Sequence, residues 1–192
     1  QKMLKKIINK IEVLAKTNRM FNIEAYLEER KEKNGRFPAL DNKYHLKEAI
    51  DWLKRAQDAT PDGGVSRGYD IAWNQYFQSK GWQPSYPETT GYIIPTFFEC
   101  ARYFNERDLF NRAVRMAEWE VDIQMENGAV RGGVINKDEP IPSVFCTGQV
   151  IFGWVHAYKE TGEDNFLIAA KKGGDFLLTV QDVNGQLVED GK

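Results

Sequence analysis

One stretch of this chain occurs twice, and that repetition constrains the fold more than any other feature. Thr90-Gly91 opens an apolar run through residue 104, a polar turn covers residues 105–108, and a second helical segment ends at Gln124, ahead of Asn127-Gly128. Thr147-Gly148 opens a second such run, residues 161–165 form the turn, and the next segment ends at Gln181, ahead of Asn184-Gly185. Thr90/Thr147, Asp108/Asn165, Ala113/Ala170, Gln124/Gln181 and Gly128/Gly185 all stand 57 residues apart. A register held that long without a gap describes a helical hairpin used more than once. An earlier copy shows only its end. Trp52 and Gln57 precede Trp119 and Gln124 by 67 residues instead of 57, so the connection between Gln57 and Thr90 carries ten extra residues. An insertion in one loop of a repeat array marks the face elaborated for binding.

The two helices of each hairpin differ in pattern. Residues 109–124 and 166–181 mix apolar side chains with Arg112, Arg115, Glu118, Asp122, Lys171 and Lys172, the composition of a helix with one wet face. Residues 91–104 and 144–158 are apolar nearly all round, with Tyr92, Ile93, Ile94, Phe97 and Phe98, then Val150, Ile151, Phe152, Trp154 and Val155. A helix apolar on every side is expected to be surrounded by protein. Antiparallel hairpins that alternate surrounded and half-wet helices predict an all-α chain, with an inner and an outer ring: part or all of an α/α toroid. The competing arrangement is a flat solenoid. The expected organisation is one domain over residues 1–192, with an N-terminal amphipathic segment at 1–36 and repeated hairpins over 44–192. Leu4, Ile7, Ile8, Ile11 and Leu14 mark the helical stripe of the first segment, and Asn34-Gly35 stops it.

A formal net charge of −2 argues against nucleic acid or an anionic membrane held by bulk electrostatics. No apolar run reaches the roughly 18 residues of a membrane span, and residues 2–10 lack the apolar centre of a leader peptide. Cys100 and Cys146 are too few for a disulfide framework, and with no leader the chain reads as cytoplasmic. Gln1 at the start, and an end that falls within a repeat, read as a processed or trimmed chain.

The Gln-x-x-x-Gly endings at Gln124/Gly128 and Gln181/Gly185, each after an aromatic at Trp119 or Phe176, resemble the repeat signature of the terpenoid cyclase and prenyltransferase toroids. The same layout is similar to the six-hairpin glycosidases and polysaccharide lyases. The stretch from Trp82 to Pro95, WQPSYPETTGYIIP, resembles uncharacterised toroid proteins associated with bacterial polysaccharide gene clusters. The resemblance implies a toroid from about Tyr44 onward. It also implies that the visible hairpins make about half of a six-hairpin ring, to be completed by further chain or by self-association. Against the cyclases, the residue after the repeat glycine turn is Val130 or Leu187 instead of an aromatic, and their Asp-rich acid motif is absent.

The long connections, residues 58–89 and 125–146, lead into the N-termini of the inner helices, where unpaired N–H groups and the helix dipole favour an anionic group such as a uronate carboxylate. Arg67, Tyr69 and Asp70 lie in the first connection, followed by Trp73, Tyr76, Phe77, Trp82 and Tyr86. Aromatics at that density form platforms for sugar rings, or, for Trp73, Tyr76 and Phe77, one face of a short packed helix. The candidate catalytic residues are Asp70 and Glu88, and the candidate substrate-binding residues are Arg67, Tyr69, Trp82, Tyr86 and Arg131. Glu88 also reads as the end of a Ser85-x-x-Glu88 capping box, and Asp70 as a partner for Arg67. Asp138 and Glu139 are further carboxylates able to serve as acid or base, and read otherwise as exposed loop acids. Hydrolysis would need two carboxylates, whereas elimination would need a base, with Tyr69 or Tyr86 in that role, and a cation, Arg67 or Arg131, for the uronate.

His156 sits about ten residues along its helix from Cys146, on the order of 15 Å, so the two form neither a zinc site nor a nucleophile pair within that helix. Cys146 is a buried thiol or, at a helix start, one with a lowered pKa. No metal or cofactor is expected. The reading is a carbohydrate-active protein, a glycoside hydrolase or polysaccharide lyase. The alternatives are a non-catalytic binding or scaffold toroid and an isoprenoid enzyme.

Overall fold

A computed structural model describes residues 5–6, 23–35, 40–136 and 138–187. The expected N-terminal stripe of Leu4, Ile7, Ile8, Ile11 and Leu14 lies outside these residues. The described chain is mostly helical. In order, its elements are α1 (Ile23–Asn34), α2 (Asn42–Asp58), β1 (Tyr69–Asn74), β2 (Ser79–Trp82), α3 (Pro87–Phe104), α4 (Arg107–Asp122), β3 (Val130–Arg131), β4 (Pro142–Ser143), α5 (Val144–Thr161) and α6 (Asp164–Thr179). No helix among the described residues is long and apolar enough to cross a membrane.

The chain divides into two compact units, residues 1–49 with 68–83, and residues 50–67 with 84–192. In the first, α1 ends at Asn34 and carries its charge run as surface pairs, Lys31 with Glu28 and Lys33 with Glu29, both at 2.9 Å. The segment expected to place Trp73, Tyr76 and Phe77 on a short helix is instead a β-hairpin. Tyr69 pairs with Trp82, Asp70 with Gly81 and Asn74 with Ser79. The reason is visible in the alternation of Tyr69, Ile71 and Trp73, a period of two that sends side chains to alternate faces. Asn74 closes the turn by accepting from the backbone of Tyr76 at 3.0 Å and of Phe77 at 3.2 Å.

The second unit contains the repeat. α3 and α4 form one antiparallel hairpin and α5 and α6 the next. Asn105 (φ 53°) and Gly162 (φ 74°) supply the left-handed residues that end α3 and α5. The most extensive packing is between α3 and α5, and two glycines permit it. A Cβ at Gly91 would fall 2.7 Å from the Val150 Cα, and one at Gly153 would fall 2.6 Å from the Gly91 carbonyl oxygen. Ile94, Phe97, Phe98, Leu109, Met116, Trp154 and Phe166 fill the core between the hairpins. The indole N–H of Trp154 donates to the Ala117 carbonyl at 3.3 Å.

The repeated residues have repeated work. The Gln57 side-chain amide donates to the Gly63 carbonyl at 3.1 Å and to the Arg112 carbonyl at 3.3 Å. Gln124 donates to Gly128 at 2.9 Å and to Ala169 at 3.0 Å, so each glutamine ties its own glycine turn to the next hairpin. Thr90 accepts from the Val65 N–H at 2.9 Å and donates to the Tyr86 carbonyl at 2.9 Å. Thr147 does the same with Val130 at 2.9 Å and Ser143 at 2.7 Å, fastening each long connection to the helix it enters. The expectation that α3 and α5 are surrounded does not hold among the described residues. Tyr92 and Tyr103 on α3 and Phe145 and Phe152 on α5 are exposed, because neighbouring helices cover only part of each circumference.

Candidate functional site

The start of α3 is built by the connection that precedes it. Ser66 bridges to Ser85, and the Tyr86 N–H donates to the Val65 carbonyl at 3.0 Å, so the chain enters the helix as a short antiparallel pair. Tyr86 is the N-cap and is extended, because the ring of Pro87, the first residue of the helix, disfavours helical backbone at the residue before it. The capping box expected from Ser85 and Glu88 does not form. The Ser85 hydroxyl donates to Asp62 Oδ1 at 2.6 Å, and that oxygen also closes the glycine turn by accepting from the Gly64 N–H at 3.1 Å. Glu88 is thereby left to accept from the Tyr86 hydroxyl. The Arg67 guanidinium lies 5.8 Å from the centroid of the Tyr86 ring.

Electrostatics favour the protonated form of Tyr86. Burial pushes the Tyr86 hydroxyl well above the usual phenol range, reinforced by the hydrogen bond to Glu88 and the nearby Cys146 and opposed by Arg67. That direction keeps the Tyr86 proton in place at neutral pH and suits a donor better than a base. Cys146, near the start of α5, is also pushed up by burial, more than its hydrogen bond with the Ser143 cap pulls it down. The helix start does not activate this thiol. Tyr92, one turn along α3 from Glu88, is raised by burial and by the Glu88 charge while its ring remains exposed.

The other expected site residues are distributed more widely. Arg67, Tyr86 and Glu88 come together in the second unit. Tyr69, Asp70 and Trp82 belong to the first. There Asp70 is a brace: its carboxylate accepts from the Asn74 amide at 2.8 Å and from Gln83. The Tyr69 ring meets Trp82 edge-on at 5.1 Å. Arg131 lies on β3 opposite Pro142 and donates to Asn136 at 2.7 Å, while Asn136 donates to Asp138 at 2.6 Å. In the repeat register Arg131 matches Ser66, not Arg67, since Val130 and Val65 are equivalent by their bonds to Thr147 and Thr90. His156 is far along α5, stacked on Phe98 with ring centroids 6.1 Å apart. Among the described residues, no three His, Cys, Asp or Glu side chains are grouped as metal ligands.

Sequence reasoning missed Glu120. It is fully buried on α4, and neither carboxylate oxygen has a hydrogen-bond partner among the described residues. Burial first, and then the charge of Asp62, push its carboxyl well above the usual range. The signal was present in the repeat: the equivalent positions hold Leu53 and Leu177. An acid where the other copies place leucine is a departure that register alone exposes.

Comparison with known protein families, curated proteins and solved structures returned no match.

Proposed function

We propose that this chain is a carbohydrate-active protein that binds a uronic-acid-containing oligosaccharide at the N-terminal ends of α3 and α5, within part of an α/α toroid. The close α3–α5 packing, with α4 and α6 each paired to one of them, supports an inner and an outer layer. The observation that carries the functional reading is the Tyr86–Glu88 hydrogen bond, with Arg67 beside the Tyr86 ring, at the start of a helix whose exposed face continues through Tyr92. Phe145 stands exposed on α5 at the repeat position of Glu88, and offers an aromatic face of the kind on which sugar rings stack.

Elimination is the chemistry these residues support best. Glu88 takes the proton next to the uronate carboxylate, and Arg67 offsets the charge that develops there. The bond to the leaving oxygen breaks as the carbon–carbon double bond forms, and the Tyr86 hydroxyl, kept protonated by its surroundings, supplies that oxygen's proton. Hydrolysis needs a second carboxylate, and Asp70 is engaged by Asn74 and Gln83 in the other unit. That engagement of Asp70 also favours a second reading, a binding subunit without turnover.

The test is to incubate acidic and neutral oligosaccharides with the chain and follow the ultraviolet absorbance of unsaturated product. Glu88→Gln should abolish the signal, and Tyr86→Phe should lower it by about 10²–10⁴-fold. Binding with no unsaturated product and no new reducing ends would select the binding subunit. Full turnover by Glu88→Gln would refute the assignment.

A further inference from the structure

The interface between the two hairpins is made of specific parts, and the far edge of the second hairpin carries the matching parts with nothing seated on them among the described residues. Gly91 on α3 is covered by Val150, whose Cα would lie 2.7 Å from an added Cβ. At its counterpart Gly148 on α5, an added Cβ would meet nothing within 4 Å. Ala117 on α4 is fully buried under Trp154, whereas its counterpart Gly174 on α6 also has open space at the Cβ position. Ile94 and Phe98 are fully buried, while their counterparts Ile151 and Val155 are half-buried. Gln57 and Gln124 each donate to their own turn and to a carbonyl of the next hairpin, Arg112 or Ala169. Among the described residues, Gln181 donates only to its own turn, at Gly185, 2.9 Å away.

These positions differ from their repeat equivalents in the same direction and lie on the same edge. Beside them, Phe152 and Leu178 are 73% and 67% exposed. Exposed apolar surface alone would not say what covers it. The established interface does, because what Gly148, Gly174 and Gln181 lack is what α5 and α6 provide to α3 and α4. We propose that the α5–α6 edge is a docking site for a further helical hairpin of this same repeat, seated as α5 and α6 are seated on α3 and α4. Its first helix crosses α5 at Gly148 and covers Gly174 with the counterpart of Trp154. Its second helix offers a backbone carbonyl to the Gln181 amide. The α3–α4 hairpin of another copy cannot take this place while folded as here, since its Gly91 is covered and its Arg112 carbonyl is bonded to Gln57. This goes beyond the carbohydrate reading and stands or falls separately from it.

The experiment compares the chain with an extended form in which a further copy of residues 131–187 follows Leu187 in register. If the edge accepts the hairpin, the extended form unfolds in one transition at a higher Tm than the parent. Gly148→Leu then discriminates. In the parent it fills open space and replaces a helical glycine, so Tm stays level or rises. In the extended form the same side chain strikes the docked helix and the gain in Tm is lost. Two transitions, with the first at the parent's Tm, would overturn the proposal, as would an equal effect of Gly148→Leu in both forms. Sedimentation showing a parent dimer that Gly148→Leu dissociates would also overturn it, by making a second copy the occupant.

Discussion

Replacing Glu120 with leucine should stabilise this protein. The side chain is fully buried, neither oxygen has a partner among the described residues, and Asp62 adds a charge of the same sign. Burying a polar group without a hydrogen bond costs about 1–3 kcal/mol in proteins, and leucine already serves at the equivalent positions 53 and 177. Glu120→Leu should recover that cost and raise Tm by roughly 2–12 °C, at about 2–4 °C per kcal/mol for a chain of this size. The pH dependence identifies the cause. The folded-state pKa is raised, so the folded protein holds a proton that the unfolded chain releases above the ordinary carboxyl range. The contribution is therefore complete below the unfolded pKa and declines as pH rises toward the folded one, at up to about 1.4 kcal/mol per pH unit. Urea unfolding of the parent, Glu120→Leu and Glu120→Gln across acid to neutral pH should show the parent losing stability relative to both variants as pH rises. A Glu120→Leu variant less stable than the parent at neutral pH, with a gap independent of pH, would refute the reasoning and require an internal partner for the carboxylate.

Two further outcomes follow from the repeat and its ion pairs. Gln124→Ala removes two hydrogen bonds, to the Gly128 and Ala169 carbonyls, so it should cost about 1–3 kcal/mol in denaturant unfolding, and Gln181→Ala, which removes one bond at an exposed site, should cost less. Asp108 is held below the ordinary carboxyl range, first by its hydrogen bond to Lys54 and then by Arg112, which opposes the effect of burial. Its contribution is present above the unfolded pKa and is lost as pH falls through the folded one. Because the carboxylate is half exposed, Asp108→Asn should flatten that acid limb by no more than about 1 kcal/mol, measured as stability against pH.

Much of the helical core was legible because repetition reports geometry directly. Gln124 and Gln181 recur since each glutamine must tie a glycine turn, and Thr90 and Thr147 recur since each hydroxyl fastens an incoming strand to a helix. The short helix that Trp73, Tyr76 and Phe77 offered as one reading is a β-hairpin in the structure, and the ambiguity arose because an aromatic-rich segment outside the repeat has no second copy to calibrate it. The local alternation of Tyr69, Ile71 and Trp73 was the better guide. At the site, Tyr86 and Glu88 are two residues apart and their pairing was within reach of sequence. Ser85 was not, since its acceptor on Asp62 is 23 residues away and only folding brings them together.

The sequence by itself determined the helical hairpin, its length and its turn residues, because these depend on short-range spacing and on backbone groups that every copy must satisfy. Tertiary structure decided the rest. It placed Asp70 and Glu88 in separate units, kept the Tyr86 proton in place by burial, and enclosed Glu120, without a hydrogen-bond partner among the described residues, where the other copies hold leucine. Desolvation and long-range pairing produce these outcomes, and both depend on which surfaces meet when the chain folds.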